Sequence, residues 1–271
     1  AKLLGPINSI RVTAYRIALT APGVLAVAGQ YYGWPHAFAI AAIAAVVVLC
    51  SVALQRDDGG LKPAATHLDF LHAFKHWLLR PQAGVLLAIA FTYRLGELTI
   101  VSMIKPYWVD RGFSPAEIGT ITSIVGVVVS ILGAILGGAL LPKLGIYRGL
   151  LVLGIAQCAS NIGYAVVSMI HAGRWSIYAA AIVENLGYGL GTAAFLAFLM
   201  SICDRERAAT EYALLTAAYG FTGTIMASAS GWLVKAMGYS GFFWLTVFLG
   251  LPALVLIPLV REQIAAAEAE H

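Results

Sequence analysis

The chain has 271 residues, of which 60% are apolar and 11% are charged, with a formal net charge of +4 at pH 7. Soluble domains carry roughly 25% charged residues, so the composition excludes an ordinary water-soluble domain. Apolar runs of the length that crosses a bilayer, about 20 residues, recur along almost the whole chain. They are too long and too uniform for strands, and lipid leaves backbone groups no partner except their own helix. The sequence therefore predicts an all-α polytopic membrane protein.

Eight transmembrane helices are predicted, and a polar segment separates the first two from the other six. In chain order the predicted spans are residues 11–30, 35–54, 83–104, 116–141, 149–170, 176–203, 210–234 and 240–260. Within the polar segment, Thr66 and Asp69 resemble a capping pair that begins a short amphipathic helix. This helix is expected either to lie on the cytoplasmic leaflet or to pack against the helix bundle.

Basic residues are unevenly distributed between the predicted loops. If the amino terminus is cytoplasmic, the cytoplasmic segments hold eleven Lys and Arg residues and the outer loops hold four. Cytoplasmic loops carry the excess of positive charge in membrane proteins, so both termini are predicted to be cytoplasmic. The basic balance then reflects topology, and the sequence has no basic stripe that would predict a nucleic-acid partner.

Two turns that lie six predicted spans apart share one pattern. Residues 33–38 read Gly-Trp-Pro-His-Ala-Phe and residues 238–243 read Gly-Tyr-Ser-Gly-Phe-Phe, so both are Gly-aromatic-x-x-x-Phe. A parallel repeat of six helices is typical of major facilitator transporters, whose halves are joined by a long cytoplasmic loop. The sequence therefore predicts a partial major facilitator fold, the last eight helices of twelve. The full-length protein is expected to carry further amino-terminal helices.

This repeat predicts four regions in the chain. They are the last two helices of the amino-terminal half (1–54), a cytoplasmic central loop (55–82), the six-helix carboxy-terminal half (83–262) and a cytoplasmic tail (263–271). In the carboxy-terminal half, Ser114, Pro115 and Glu117 form the pattern of a capped helix start.

A basic turn in the carboxy-terminal half resembles a motif of the same superfamily. Residues 138–148 read Gly-Ala-Leu-Leu-Pro-Lys-Leu-Gly-Ile-Tyr-Arg, against the pattern Gly-x-x-x-Asp-(Arg/Lys)-x-Gly-x-x-(Arg/Lys). Pro142 replaces the Asp, and the matching residues are Gly138, Lys143, Gly145 and Arg148. Charges at helix ends predict a gating role in one transport state. The alternative is a basic turn whose glycines only permit tight packing.

Ionisable residues inside the predicted spans indicate where a solute could bind, because a charge in hydrocarbon is costly and usually faces a cavity or a partner. Arg94 and Glu97 can pair at i,i+3. Glu184 shares an inward-facing stripe with Tyr188. The candidate substrate or proton pathway comprises Tyr15, Arg16, Tyr93, Arg94, Glu97, Glu184, Asn185, Tyr188 and Tyr212. The alternative is that these charges have a structural role. Gln157 and Asn161 are interpreted as side chains that form hydrogen bonds to neighbouring helices.

Longer strings occur at residues 15–16, 33–34, 93–97, 157–164, 184–200, 209–217 and 231–232. Together they resemble AmpG-type muropeptide permeases, a group that includes acetyl-CoA transporters. Residues 93–97 read Tyr-Arg-Leu-Gly-Glu where that family has Tyr-Lys-Leu-Gly-Asp, so both charges are kept. Glu211 stands where the family usually has Gln.

The resemblance implies import of anhydro-muropeptides from cell-wall turnover across the bacterial inner membrane, by proton symport and alternating access. A carrier for another organic solute, such as acetyl-CoA or a small peptide, is the alternative, as is a non-transporting receptor of transporter ancestry. The expected partners are the lipid bilayer and a small-molecule substrate. The sequence shows no nucleophile–base set of an enzyme, no metal-ligand spacing among its cysteines and histidines, and no cofactor motif.

Overall fold

All regular structure in the described part of the chain is helical, which confirms the predicted all-α fold. The computed structural model describes residues 18, 20–54, 82–171, 173–203 and 208–270. Its α-helices are α1 (Ala21–Tyr32), α2 (Trp34–Ala53), α3 (Ala83–Thr92), α4 (Leu95–Asp110), α5 (Pro115–Ile118), α6 (Gly126–Met169), α7 (Arg174–Ser201), α8 (Ala208–Leu249), α9 (Leu251–Leu256) and α10 (Arg261–Glu270). A π-helical segment, Gly119–Val125, joins α5 to α6, and a 3₁₀ segment, Ile257–Val260, joins α9 to α10. The predicted amphipathic helix, Tyr15 and Arg16 lie outside the described residues.

Five helical segments among the described residues are long and apolar enough to cross a membrane. They are Trp34–Ser51, Ala83–Asp110, Pro115–Met169, Arg174–Ser201 and Thr210–Ala265. The third and fifth contain 55 and 56 residues. At about 1.5 Å per residue, each is more than twice the length that a bilayer requires.

Each of these two long segments is two helices joined at a glycine. Gly145 has φ 73° and ψ 163°, and Gly238 has φ 70° and ψ 171°, a backbone region that is open essentially only to glycine. The breaks lie where the sequence predicts turns between spans. Within the described residues the chain therefore has seven crossing helices, and α1 is the described part of the first predicted span.

The chain divides into two compact units, residues 1–64 with 108–128 and residues 65–107 with 129–271. In the first unit α1 packs on α2 and on the π-helical segment. Gly23 permits this approach, because a Cβ there would lie 2.5 Å from the Gly119 carbonyl oxygen and 2.8 Å from Ser123 Cβ. The side-chain oxygen of Gln30 accepts a hydrogen bond of 2.7 Å from the Ala116 amide and ties α1 to α5.

The predicted helix start in the first unit is confirmed. The Glu117 amide donates to Ser114 Oγ at 3.3 Å, and the Ser114 amide donates to Glu117 Oε2 at 2.8 Å. This reciprocal arrangement is a capping box, with Pro115 at the first helical position. Glu117 therefore has a local structural role.

The second unit holds an apolar core built from α3, α6, α7, α8, α9 and α10. Its buried side chains include Ile89, Leu150, Phe195, Phe198 and Leu215. Glycines let the helices approach closely: Gly133 of α6 lies against the Leu186 carbonyl of α7, and Gly96 of α4 lies against the Thr246 carbonyl of α8. This packing places polar residues of four helices next to one another. The predicted regions 1–54, 55–82, 83–262 and 263–271 stay a prediction.

Candidate functional site

A buried ion pair lies at the start of α4, within the second unit. Tyr93 and Arg94 connect α3 to α4, and Glu97 lies in the first turn of α4. Arg94 and Glu97 are each only 2% exposed. Arg94 Nη2 lies 3.0 Å from Glu97 Oε1, so the predicted i,i+3 pair is confirmed. Each charge compensates the other, because an unpaired charge at this depth would be strongly unfavourable.

Two tyrosine rings flank the Arg94 guanidinium. Its Cζ lies 4.5 Å from the ring centroid of Tyr188 on α7 and 5.7 Å from that of Tyr219 on α8. A guanidinium over an aromatic face gains cation–π attraction, which is larger where water is excluded. Tyr188 was predicted to belong to the pathway, whereas Tyr219 was not. Tyr219 lies far from Arg94 in sequence, so only helix packing could bring them together.

Gln157 of α6 also contacts this site, and we call Arg94, Glu97, Gln157, Tyr188 and Tyr219 together the Arg94 cluster. Its Nε2 donates a hydrogen bond to Glu97 Oε2, so the two carboxylate oxygens of Glu97 face different partners. Gln157 is 3% exposed. The expectation that Gln157 bonds a neighbouring helix is confirmed, but the predicted pathway omitted it. The sequence signal that could have identified Gln157 is an amide side chain in the middle of a predicted span.

Tyr93 precedes Arg94 in the chain and packs against α6 and α7. Its hydroxyl donates a hydrogen bond of 3.0 Å to the Leu150 carbonyl, and its ring stacks on Phe195 with centroids 5.5 Å apart. Gly154 admits the ring, since a Cβ there would lie 2.9 Å from Tyr93 Cε2. These contacts fix the Tyr93 ring in place, and its part in a substrate or proton pathway stays a prediction.

Glu184 lies on the inward face of α7. It is 3% exposed, whereas its neighbours Ile182 and Val183 are 43% and 50% exposed. Asn185 Nδ2 donates to Glu184 Oε2 at 2.9 Å and to the Ala181 carbonyl at 2.8 Å. The predicted inward orientation of the Glu184 stripe is therefore confirmed. No ion pair to Glu184 occurs within the described residues, so this carboxyl differs from Glu97.

The remaining predicted residues are Tyr212 and the four residues of the basic turn. Tyr212 packs against the apolar core of the second unit. In the basic turn, Lys143, Arg148 and Gly138 are exposed, and Gly145 forms the helix break described above. Their gating role stays a prediction. Across the residues that the structure describes, no group of three or more His, Cys, Asp and Glu side chains could hold a metal ion.

Comparison with known proteins shows which family the chain resembles. Residues 7–214 match the family described as Major Facilitator Superfamily. The chain is 30% identical over 263 residues to the "Anhydromuropeptide permease" of Escherichia coli strain K12, covering 94% of this chain and 53% of that permease. It is 24% identical over 271 residues to "Putative transporter AmpG 4" of Rickettsia conorii, covering 95% of this chain and 64% of that protein. The chain thus spans between half and two thirds of the length of these relatives.

Proposed function

Because the chain belongs to the Major Facilitator Superfamily and is a multi-pass membrane transporter protein, we propose that it is part of an inner-membrane importer of anhydro-muropeptides. The six-helix repeat supports its place as helices five to twelve of a twelve-helix carrier. The distribution of Lys and Arg supports cytoplasmic termini. Transport is proposed to follow alternating access around the polar cluster of the second unit.

The observation that carries this proposal is the environment of Arg94. Arg94 Nε has no hydrogen-bond partner among the described residues, although the side chain is buried. A guanidinium has five N–H donors in a planar fork that matches a carboxylate. Muropeptides carry peptide carboxylates and sugar rings. The guanidinium suits the carboxylate, and the rings of Tyr188 and Tyr219 provide flat apolar surface beside it.

Proton coupling is proposed to use Glu184. Glu97 is compensated by Arg94 and accepts a hydrogen bond from Gln157, so removing its charge would leave Arg94 uncompensated. Glu184 accepts from Asn185 and forms no ion pair among the residues described, so its protonation leaves no cation unpaired. A carboxyl that gains and loses a proton without breaking an ion pair suits a symporter.

Uptake by reconstituted vesicles tests the proposal. Vesicles containing the full-length carrier are given labelled N-acetylglucosaminyl-anhydro-N-acetylmuramyl tripeptide under an imposed pH gradient, with protein-free vesicles as the control. Accumulation that a protonophore abolishes is the expected result. Uptake that ignores the gradient would rule out proton symport. Preference for acetyl-CoA or a small peptide would favour another solute, and binding without uptake would favour a receptor.

A further inference from the structure

The Gln157 side chain occupies a notch that only glycine leaves open. A Cβ built on Gly191 of α7 would collide with Gln157 Oε1, and it would lie 2.5 Å from Cδ and 3.1 Å from Cβ of the same side chain. No other side chain is among the closest neighbours of that Cβ. The absence of a side chain at residue 191 therefore provides the space in which the Gln157 amide lies.

A second glycine notch holds the adjacent turn of α6. A Cβ on Gly187 would collide with Ser160 Oγ, and the Ser160 hydroxyl donates a hydrogen bond of 2.7 Å to the Gln157 carbonyl. Gly187 and Gly191 are one helical turn apart on α7. Consecutive turns of α6 therefore pack against α7 through Gln157 and Ser160. This close approach fixes the position of Gln157 along the helix axis, next to Glu97.

The Gln157 amide is constrained sterically at its oxygen and by one hydrogen bond at its nitrogen. Its Oε1 faces Gly191 and has no hydrogen-bond partner among the described residues. Its Nε2 donates to Glu97 Oε2. A buried amide has few alternative arrangements under these constraints, since rotation would place Oε1 against a carboxylate oxygen. The notch therefore orients the donor.

We propose that Gln157 is a positioning residue for Glu97, and that Gly191 is the residue that admits it. This inference rests on the proposed function, because Glu97 in turn orients the Arg94 guanidinium toward the substrate. Without the amide, Glu97 Oε2 becomes a buried acceptor without its donor, and the carboxylate is free to rotate about the ion pair. The guanidinium then loses its fixed orientation, so substrate affinity should fall more than the maximal transport rate.

A double-mutant cycle tests whether Gly191 acts through Gln157. Gly191→Ala and Gln157→Ala are each expected to raise the KM for uptake by about tenfold, the scale for loss of a hydrogen bond to a charged group. The double variant should be no worse than Gln157→Ala alone, because Oε1 and Cδ, the atoms that the new methyl group would collide with, are absent and only a close 3.1 Å contact with the Cβ of residue 157 remains. If the KM increases of the two single variants multiply in the double variant, the proposal is contradicted. If Gly191→Ala alone fails to fold, recovery of folded protein in the double variant supports the same contact.

Infrared spectroscopy provides a readout that does not depend on transport. The Glu97 carboxylate band is assigned from the difference between the wild-type protein and Glu97→Gln in lipid membranes. Gln157→Met keeps the side-chain length but removes the donor, so this band should shift. Gly163→Ala is the control and should leave the Glu97 band unshifted. Its Cβ would lie at an ordinary 3.4 Å from Ala180 Cβ, on the same pair of helices. An unshifted Glu97 band in Gln157→Met would overturn the inference even if uptake changed, whereas a shifted band without muropeptide uptake would reject only the proposed function.

Discussion

The Arg94 guanidinium carbon lies 4.5 Å from the centroid of the Tyr188 ring, so a buried cation and an aromatic face from different helices meet directly. Arg94 also pairs with Glu97, which lies in the first turn of the helix that begins directly after Arg94. The aromatic contact adds attraction without neutralising the charge. It therefore leaves Arg94 able to bind an anion while limiting its movement.

The first prediction concerns the ring of Tyr188. Tyr188→Leu should weaken muropeptide affinity by about 1–2 kcal/mol, or about five- to thirtyfold, because it removes a desolvated cation–π contact. Tyr188→Phe keeps the ring and is the matched control, with affinity expected within about twofold of wild type. Equilibrium binding to the purified full-length carrier measures both. Equal losses in the two variants would assign the effect to the hydroxyl instead of the ring.

Glu97→Gln should impair the carrier more than Glu117→Gln. The first substitution leaves Arg94 as a buried unpaired charge, at a cost of roughly 3–5 kcal/mol. The second keeps a residue type that capping boxes accept and removes only a negative charge in the first helical turn, at a cost of about 0.3–1 kcal/mol. Uptake is normalised to the amount of folded carrier, judged by size-exclusion chromatography. Matching uptake and folded yield for both variants would remove Glu97 from the site.

Glu184→Cys, in a full-length carrier without other cysteines, should react with a water-soluble thiol reagent in at least one transport state. We expect this because a buried carboxyl without an ion pair in the described structure suits a site that water reaches during transport. Substrate should slow the labelling. Val183→Cys, at an outward-facing position, is the comparison and should not respond to substrate. Inertness of Glu184→Cys in every state would make Glu184 a packed structural acid.

Gly145→Ala should destabilise the protein by about 1–3 kcal/mol, because the backbone at this break lies in a region that a residue with a Cβ enters only under strain. Gly138→Ala is the control seven residues earlier in the same motif. A Cβ at Gly138 would have no neighbouring atom within 4 Å, so this variant should unfold at the wild-type temperature or slightly above it. Thermal unfolding in detergent micelles measures the difference. Identical melting of the two variants would show that the break does not require glycine.

Features that depend on near neighbours in the chain could be predicted from the amino-acid sequence. Apolar run length predicted the crossing helices, because lipid forces backbone groups to bond within each helix. The Arg94–Glu97 pair and the Ser114–Glu117 capping box follow from i,i+3 spacing, which the helix geometry fixes whatever surrounds it.

Which helices meet at Arg94 could not be predicted from the sequence, because it depends on how the helices pack. Gln157 is 60 residues away from Glu97, and neither it nor Tyr219 has a local pattern that predicts its partner. These contacts depend on the rotation of each helix about its axis and on how closely the axes approach. Glycines at residues 187 and 191 set that approach, because α6 side chains occupy the space that a Cβ would fill.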